Sequence, residues 1–120
     1  MKANELRIDN WVISKDGRHI QMNRIMLGVV PLLSPIPLTP EVLEKCGFVP
    51  NAIGQLAIEV LGIDTHLELI TINDGYCYVN LNQVNEFGNS QNVAINRIQY
   101  LHQLQNLYFA LTGEELIYKP

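Results

Sequence analysis

Arg97-Ile-Gln-Tyr-Leu-His-Gln-Leu-Gln-Asn-Leu-Tyr-Phe-Ala-Leu-Thr-Gly-Glu-Glu-Leu116 is the stretch whose reading decides the fold. Wound at 3.6 residues per turn, it gathers Tyr100, Leu101, Leu104, Leu107, Tyr108 and Leu111 into one band about 120° wide, as in a helix lying on a core. Gly113, just past the last periodic residue, can take the left-handed conformation that closes a helix. Each of the six side chains contributes about 1.5–3 kcal/mol when fully buried, an upper value before chain entropy is set against it. No other stretch of the chain offers as much.

The opposite side of this helix is unusual, because residues 98–113 contain no Asp, Glu, Lys or Arg. Gln99, His102 and Asn106 share that side with Phe109, which lies well away from the leucine band. Two readings stand together. Either a neighbouring segment covers Phe109 while the amides face water, or His102, Asn106 and Phe109 form a face for a partner protein or a second copy. Charge depletion around an exposed aromatic is the compositional mark of an interface.

Working outward, 120 residues make one domain with a single core. Hydrophobic residues at 48% and charged residues at 17% exclude wholesale disorder. A net charge of −4 argues against long-range attraction to a nucleic acid polymer or an anionic membrane. Cys46 and Cys77 are widely separated and lack a Cys-x-x-Cys or a matched histidine pair, so they read as buried thiols rather than as metal ligands or a disulfide framework. No basic leader with an apolar core and no apolar run of about 18 residues occurs, which predicts a cytoplasmic protein.

Asp16-Gly17 predicts a two-residue hairpin turn between strands at 6–14 and 18–26. Opposed residues then sum to 33, pairing Ile13 with Ile20, Trp11 with Met22 and Asp9 with Arg24. Residues 28–33 predict a third strand at an edge because of Pro31. Ser34-Pro-Ile-Pro-Leu-Thr39 is extended, since each residue before a proline leaves the α region. A two-turn helix follows, with Thr39 as N-cap, Pro40 in its first position and Gly47 as its stop. Residues 49–54 read as a connector and 55–61 as a strand. A second hairpin is predicted around Asp74-Gly75, with strands at 65–73 and 76–84 and opposed residues summing to 149. That register places Ile70, Ile72, Cys77, Val79 and Leu81 on the core side. Tyr76, Tyr78, Asn80 and Asn82 lie on the other side, opposite Asn73, Thr71, Leu69 and Leu67. Residues 85–92 read as a loop and 93–97 as a last short strand.

The residues that carry chemistry are few. Asp64, His66 and Glu68 alternate along a strand, a pattern that more often marks a strand leaving the core than a metal site. The three histidines fall on three different elements, and no serine, threonine or cysteine has the context of an activated nucleophile, so no catalytic residue and no cofactor is assigned. Phosphate-cradling glycine motifs do not occur. Tyr76 and Tyr78 offer rings for stacking, Asn80 and Asn82 offer amides for a base edge, and Arg18 and Arg24 offer cations for a phosphate. The bland alternative is an ordinary half-exposed sheet face with solvated cations.

The run Tyr100-Leu-His-Gln-Leu-Gln-Asn-Leu-Tyr-Phe-Ala-Leu-Thr-Gly-Glu-Glu-Leu116 resembles the C-terminal signature of a family of small, uncharacterised proteins encoded by bacteriophages and related mobile elements. Met1-Lys-Ala-Asn-Glu-Leu-Arg-Ile8 with Asn10-Trp-Val12, and Ser34-Pro-Ile-Pro-Leu-Thr39 with Leu43-Glu-Lys-Cys-Gly-Phe48, are similar to the same family in the same order. The resemblance implies an accessory protein acting in the cytosol of a bacterial host and supplies no functional residues.

These readings converge on a single α+β domain. Two antiparallel hairpins build a twisted or barrel-like sheet, with a short central helix and the C-terminal helix packed on it. The expected function is non-catalytic binding of a small anionic ligand, such as a nucleotide-type signal of host defence. The alternative is an adaptor for a host protein, or a homo-oligomer, built on the charge-free helix face.

Overall fold

The structure, a computed structural model, describes residues 6–7, 9–22, 33–50, 55–60, 65–71, 76–84 and 90–120. Among these the elements run β1 (Trp11–Ile13), β2 (His19–Gln21), α1 (Pro40–Lys45), β3 (Val49–Pro50), β4 (Leu56–Glu59), β5 (Thr65–Thr71), β6 (Cys77–Val84), β7 (Ser90–Ile98) and α2 (Leu101–Thr112). The fold is α+β. Its hairpins occupy two sheets rather than one: β1 and β2 pair alone, while β3-β4-β5-β6-β7 form a five-stranded antiparallel sheet in chain order.

Both hairpins sit one residue away from the expected register. In the first, Val12 opposes Ile20 and Trp11 opposes Gln21, so opposed residues sum to 32. The cause is the turn. Ser14 N–H donates to Arg18 C=O at 2.8 Å, which leaves Lys15, Asp16 and Gly17 as a three-residue loop. A type I′ turn needs positive φ at both central residues, whereas here Gly17 has it at 86° and Asp16 does not. This is the three-residue hairpin that ends in a left-handed glycine. The slip buries Val12 completely and leaves Trp11 and Ile13 half-buried. Arg24, and with it the expected pair to Asp9, lies outside the described residues, as does most of the predicted strand at 28–33.

In the second hairpin Thr71 opposes Cys77 and Leu67 opposes Leu81, a sum of 148. Between the innermost described pair lie residues 72–76, an odd number where the expected two-residue turn has an even one. Because strand side chains alternate, one residue of slip turns every β5 side chain over. Leu67 and Leu69 therefore join Cys77 and Val79 in the core, and His66 and Glu68 share the outer face with Tyr78, Asn80 and Asn82. The predicted turn at Asp74-Gly75 and the side chain of Ile72 lie outside the described residues. Val49–Pro50, read as connector, forms the short edge strand β3. β7 begins at Ser90, so residues 90–92 are strand rather than loop. Residues 85–89, the rest of the expected loop, lie outside the described residues.

The core lies between the Leu67 and Leu69 face of the larger sheet and the two helices. α1 supplies Val42 and Leu43, and α2 supplies Leu101 and Leu104, with Leu107, Tyr108 and Leu111 packed partly against them. Thr39 caps α1 as expected, its Oγ1 accepting from Val42 N–H at 3.2 Å. Gly113 closes α2 at φ 74°, its N–H donating to Phe109 C=O at 2.8 Å. Beyond α2 the tail buries Leu116 and Tyr118. The Tyr118 ring meets Trp11 edge-on at 5.2 Å, and its hydroxyl lies 2.8 Å from His19 Nδ1. Lys119 N–H reaches Lys45 C=O at 3.1 Å, so the tail ties the small sheet to α1.

Candidate functional site

With one face of the large sheet under the helices, chemistry on the other face is set by alternation along β5 and β6. Tyr78, Asn80 and Asn82 project there from β6, opposite Ile70, Glu68 and His66 of β5, and Tyr76 stands just ahead of the strand. Tyr78 is 46% exposed, and Asn80, Asn82 and Tyr76 are half-buried. The four residues read together from the sequence thus share one surface.

The cation that meets them is Arg97. It is the register partner of Tyr78 across the β6–β7 pair, and its guanidinium stands 4.8 Å from the centre of the Tyr76 ring. A guanidinium at this distance is attracted by the ring's quadrupole. Arg18 sits elsewhere, at the tip of the first hairpin in the other sheet, where Nε lies 2.9 Å from Asp16 Oδ2. The Ser14 hydroxyl bonded to Asp16, and after it Arg18, hold that carboxyl below the ordinary carboxylate range. Arg24 lies outside the described residues. No local signal marks Arg97 as a member of the face. Its place follows from a β-bulge, because pairing passes from Val79 with Asn96 to Asn80 with Ala94 and leaves Ile95 over.

At the β3 edge a half-open groove of about 420 Å³ is lined from both sides of the sheet, by Glu59 and His66 of the outer face and by Ile58 of the core side. Glu59 opposes His66 in the β4–β5 register. Carboxylates stand at this end, on Glu59, and nearer the middle of the face, on Glu68 opposite Asn80, while the Arg97 end carries a positive charge. Asp64 lies outside the described residues, and among the described residues no three His, Cys, Asp or Glu side chains converge as a metal-binding group.

The charge-free side of α2 is taken up within the chain. His102 is buried with its ring stacked on Tyr100 at 5.9 Å, so it offers no outward contact. Asn106 Oδ1 accepts from Arg7 Nε at 2.7 Å and from Asn10 Nδ2 at 3.0 Å. Gln105 is buried beside it, accepting from Trp11 N–H at 2.8 Å. Phe109 keeps 40% of its surface exposed, with the Arg7 guanidinium 4.4 Å from its ring centre. The three residues read as a partner face therefore divide: His102 is interior, Asn106 binds the N-terminal segment, and Phe109 lies under Arg7. Sequence periodicity could not show this, because the covering residues lie about a hundred positions away.

No protein-family model, curated protein or solved structure matches the chain. Among the described residues no helix is long and apolar enough to cross a membrane.

Proposed function

We propose that this is a non-catalytic binding protein that holds a small planar anion of nucleotide type on the outer face of its larger sheet. The observation that carries this reading is Arg97 over Tyr76 and opposite Tyr78, which joins a cation to two rings on one surface. In this reading a base stacks on Tyr78, the Asn80 and Asn82 amides meet its edge, and Arg97 receives the phosphate. The resemblance to phage and mobile-element proteins supports a counter-defence role, sequestering a signal of host defence, and does not identify the target. One stacked ring contributes about 1–3 kcal/mol and one charge-assisted contact about 1.5–3 kcal/mol. Two amide bonds of about 0.5–1.5 kcal/mol each bring the sum to roughly 4–9 kcal/mol before association costs, so affinity is at best about micromolar.

Calorimetric titration of linear and cyclic nucleotides into wild type, Tyr78→Ala and Arg97→Ala tests the site. Binding of at least one nucleotide, weakened about tenfold or more in both variants, is the expected result. A wild type that gives no heat with any nucleotide, or variants that bind as wild type does, would sink it.

A further inference from the structure

The two edges of the larger sheet are built differently. β3 is two residues long and contains Pro50, which removes a donor, so little of that edge can accept another strand. β7 is nine residues long, and Ser90–Asn96 contains neither a proline nor a charged residue. Among the described residues no strand pairs with its outer side. A long edge of unpaired N–H and C=O groups is a template for a further strand unless charge, proline or a bulge blunts it. The bulge at Ile95 does so only locally, leaving Ser90–Ala94 in straight register against Asn80–Val84. Val93 and Ala94 are adjacent and so project to opposite faces, yet both are exposed, with Val93 at 56%. The edge is therefore approachable from either side.

We propose that Ser90–Ala94 pairs antiparallel with the same segment of a second copy, about a two-fold axis through Asn92, joining two five-stranded sheets into one of ten strands. Opposed residues of an antiparallel pair lie on the same face. A two-fold axis perpendicular to the sheet keeps equivalent faces together, so the axis must pass through a residue and not between two, and Asn92 is the middle of the straight segment. Ser90 then opposes Ala94 of the other copy, and Gln91 opposes Val93. Every opposed pair is uncharged, and Arg97 lies beyond the paired segment, so no like charges meet. This self-complementarity selects a second copy over an unrelated peptide, and an isologous contact of this kind closes at two.

Sedimentation velocity over two decades of protein concentration tests the pairing on wild type, Val93→Lys and Ile117→Lys. Ile117 is exposed on the tail, away from the edge, and controls for added charge. Wild type and Ile117→Lys are expected to dimerise with rising concentration, with Val93→Lys dimerising about tenfold more weakly or worse. Asn92→Cys gives a second readout that needs no loss of folding: it is expected to form a disulfide-linked dimer on mild oxidation, whereas Ile117→Cys is not. A wild type that stays monomeric throughout, a dimer indifferent to Val93→Lys, or equal crosslinking by both cysteine variants overturns the proposal. Nucleotide titration of the monomer is unaffected by any of these outcomes, so the two proposals fail separately.

Discussion

Arg7 Nε donates to Asn106 Oδ1 at 2.7 Å across 99 positions of chain. The same guanidinium reaches Glu115 Oε1 at 2.7 Å and the Gln105 carbonyl at 3.2 Å, and lies over Phe109. One side chain thereby binds the first strand's approach, the middle of α2 and the segment after it. Asp9, two residues on, takes a positive φ of 77°, a conformation uncommon outside glycine. Its backbone is held there by N–H donation to Met22 C=O at 2.9 Å, and its carbonyl accepts from Gln105 Nε2 at 3.4 Å.

Arg7→Ala is expected to destabilise by about 1.5–3 kcal/mol, read by urea unfolding. The pair to Glu115 is 31% exposed on each side and contributes little of this, since solvent screens it. Arg7→Lys should recover less than half, because an ammonium cannot place several planar donors at once. A double-mutant cycle with Asn106→Ala isolates the contact, and purely additive losses would show that the two do not couple.

At the start of α2, Gln103 lies on the flank of the leucine band. Its Oε1 accepts from Gln99 N–H at 2.8 Å and Tyr100 N–H at 3.0 Å, the back-reaching half of a capping box. Gln103→Ala should therefore cost about 0.5–2 kcal/mol, as the loss of a helix cap does. Leu104→Ala should cost about 2–5 kcal/mol by opening a cavity in the core. Thermal melts that rank the two in the reverse order would contradict this packing.

The register of β5 is tested by neighbours. Leu67 is fully buried and Glu68 stands on the outer face, so Leu67→Ala should destabilise by about 2–5 kcal/mol and Glu68→Ala by less than about 0.5 kcal/mol. A one-residue slip would put Leu67 outside with the tyrosines and make its replacement mild. Chemical denaturation of the two variants decides between the registers.

Burial pushes the Cys46 thiol up to about 12 from its ordinary value of 9.0. The folded state thus keeps the proton longer than the unfolded chain. The stability from this group is present below pH 9 and is lost as pH rises toward 12. At pH 10 the loss from this group is on the order of 1 kcal/mol. Tyr118, raised by burial and by the nearby Cys46, adds in the same direction. Denaturant midpoints of wild type and Cys46→Ala at neutral pH and at pH 10 provide the check: the variant should lose less stability than wild type between the two.

Local chemistry alone determined α1 and α2. Thr39 and Pro40 start one helix, the leucine band and Gly113 define the other, and both depend on contacts within a few residues. Tyr76, Tyr78, Asn80 and Asn82 fell on one face for the same reason, since alternation along a single strand needs no partner. What pairs with what was decided only in the tertiary structure. A turn one residue longer than Asp-Gly suggests reverses the faces of a hairpin, and nothing in the dipeptide distinguishes the two lengths. The bulge at Ile95 brings Arg97 to the tyrosines in place of Arg18. The polar side of α2 looked open because its cover, Arg7 and Asn10, comes from the far end of the chain. Contacts of that separation leave no period in the sequence, and only the folded backbone supplies their geometry.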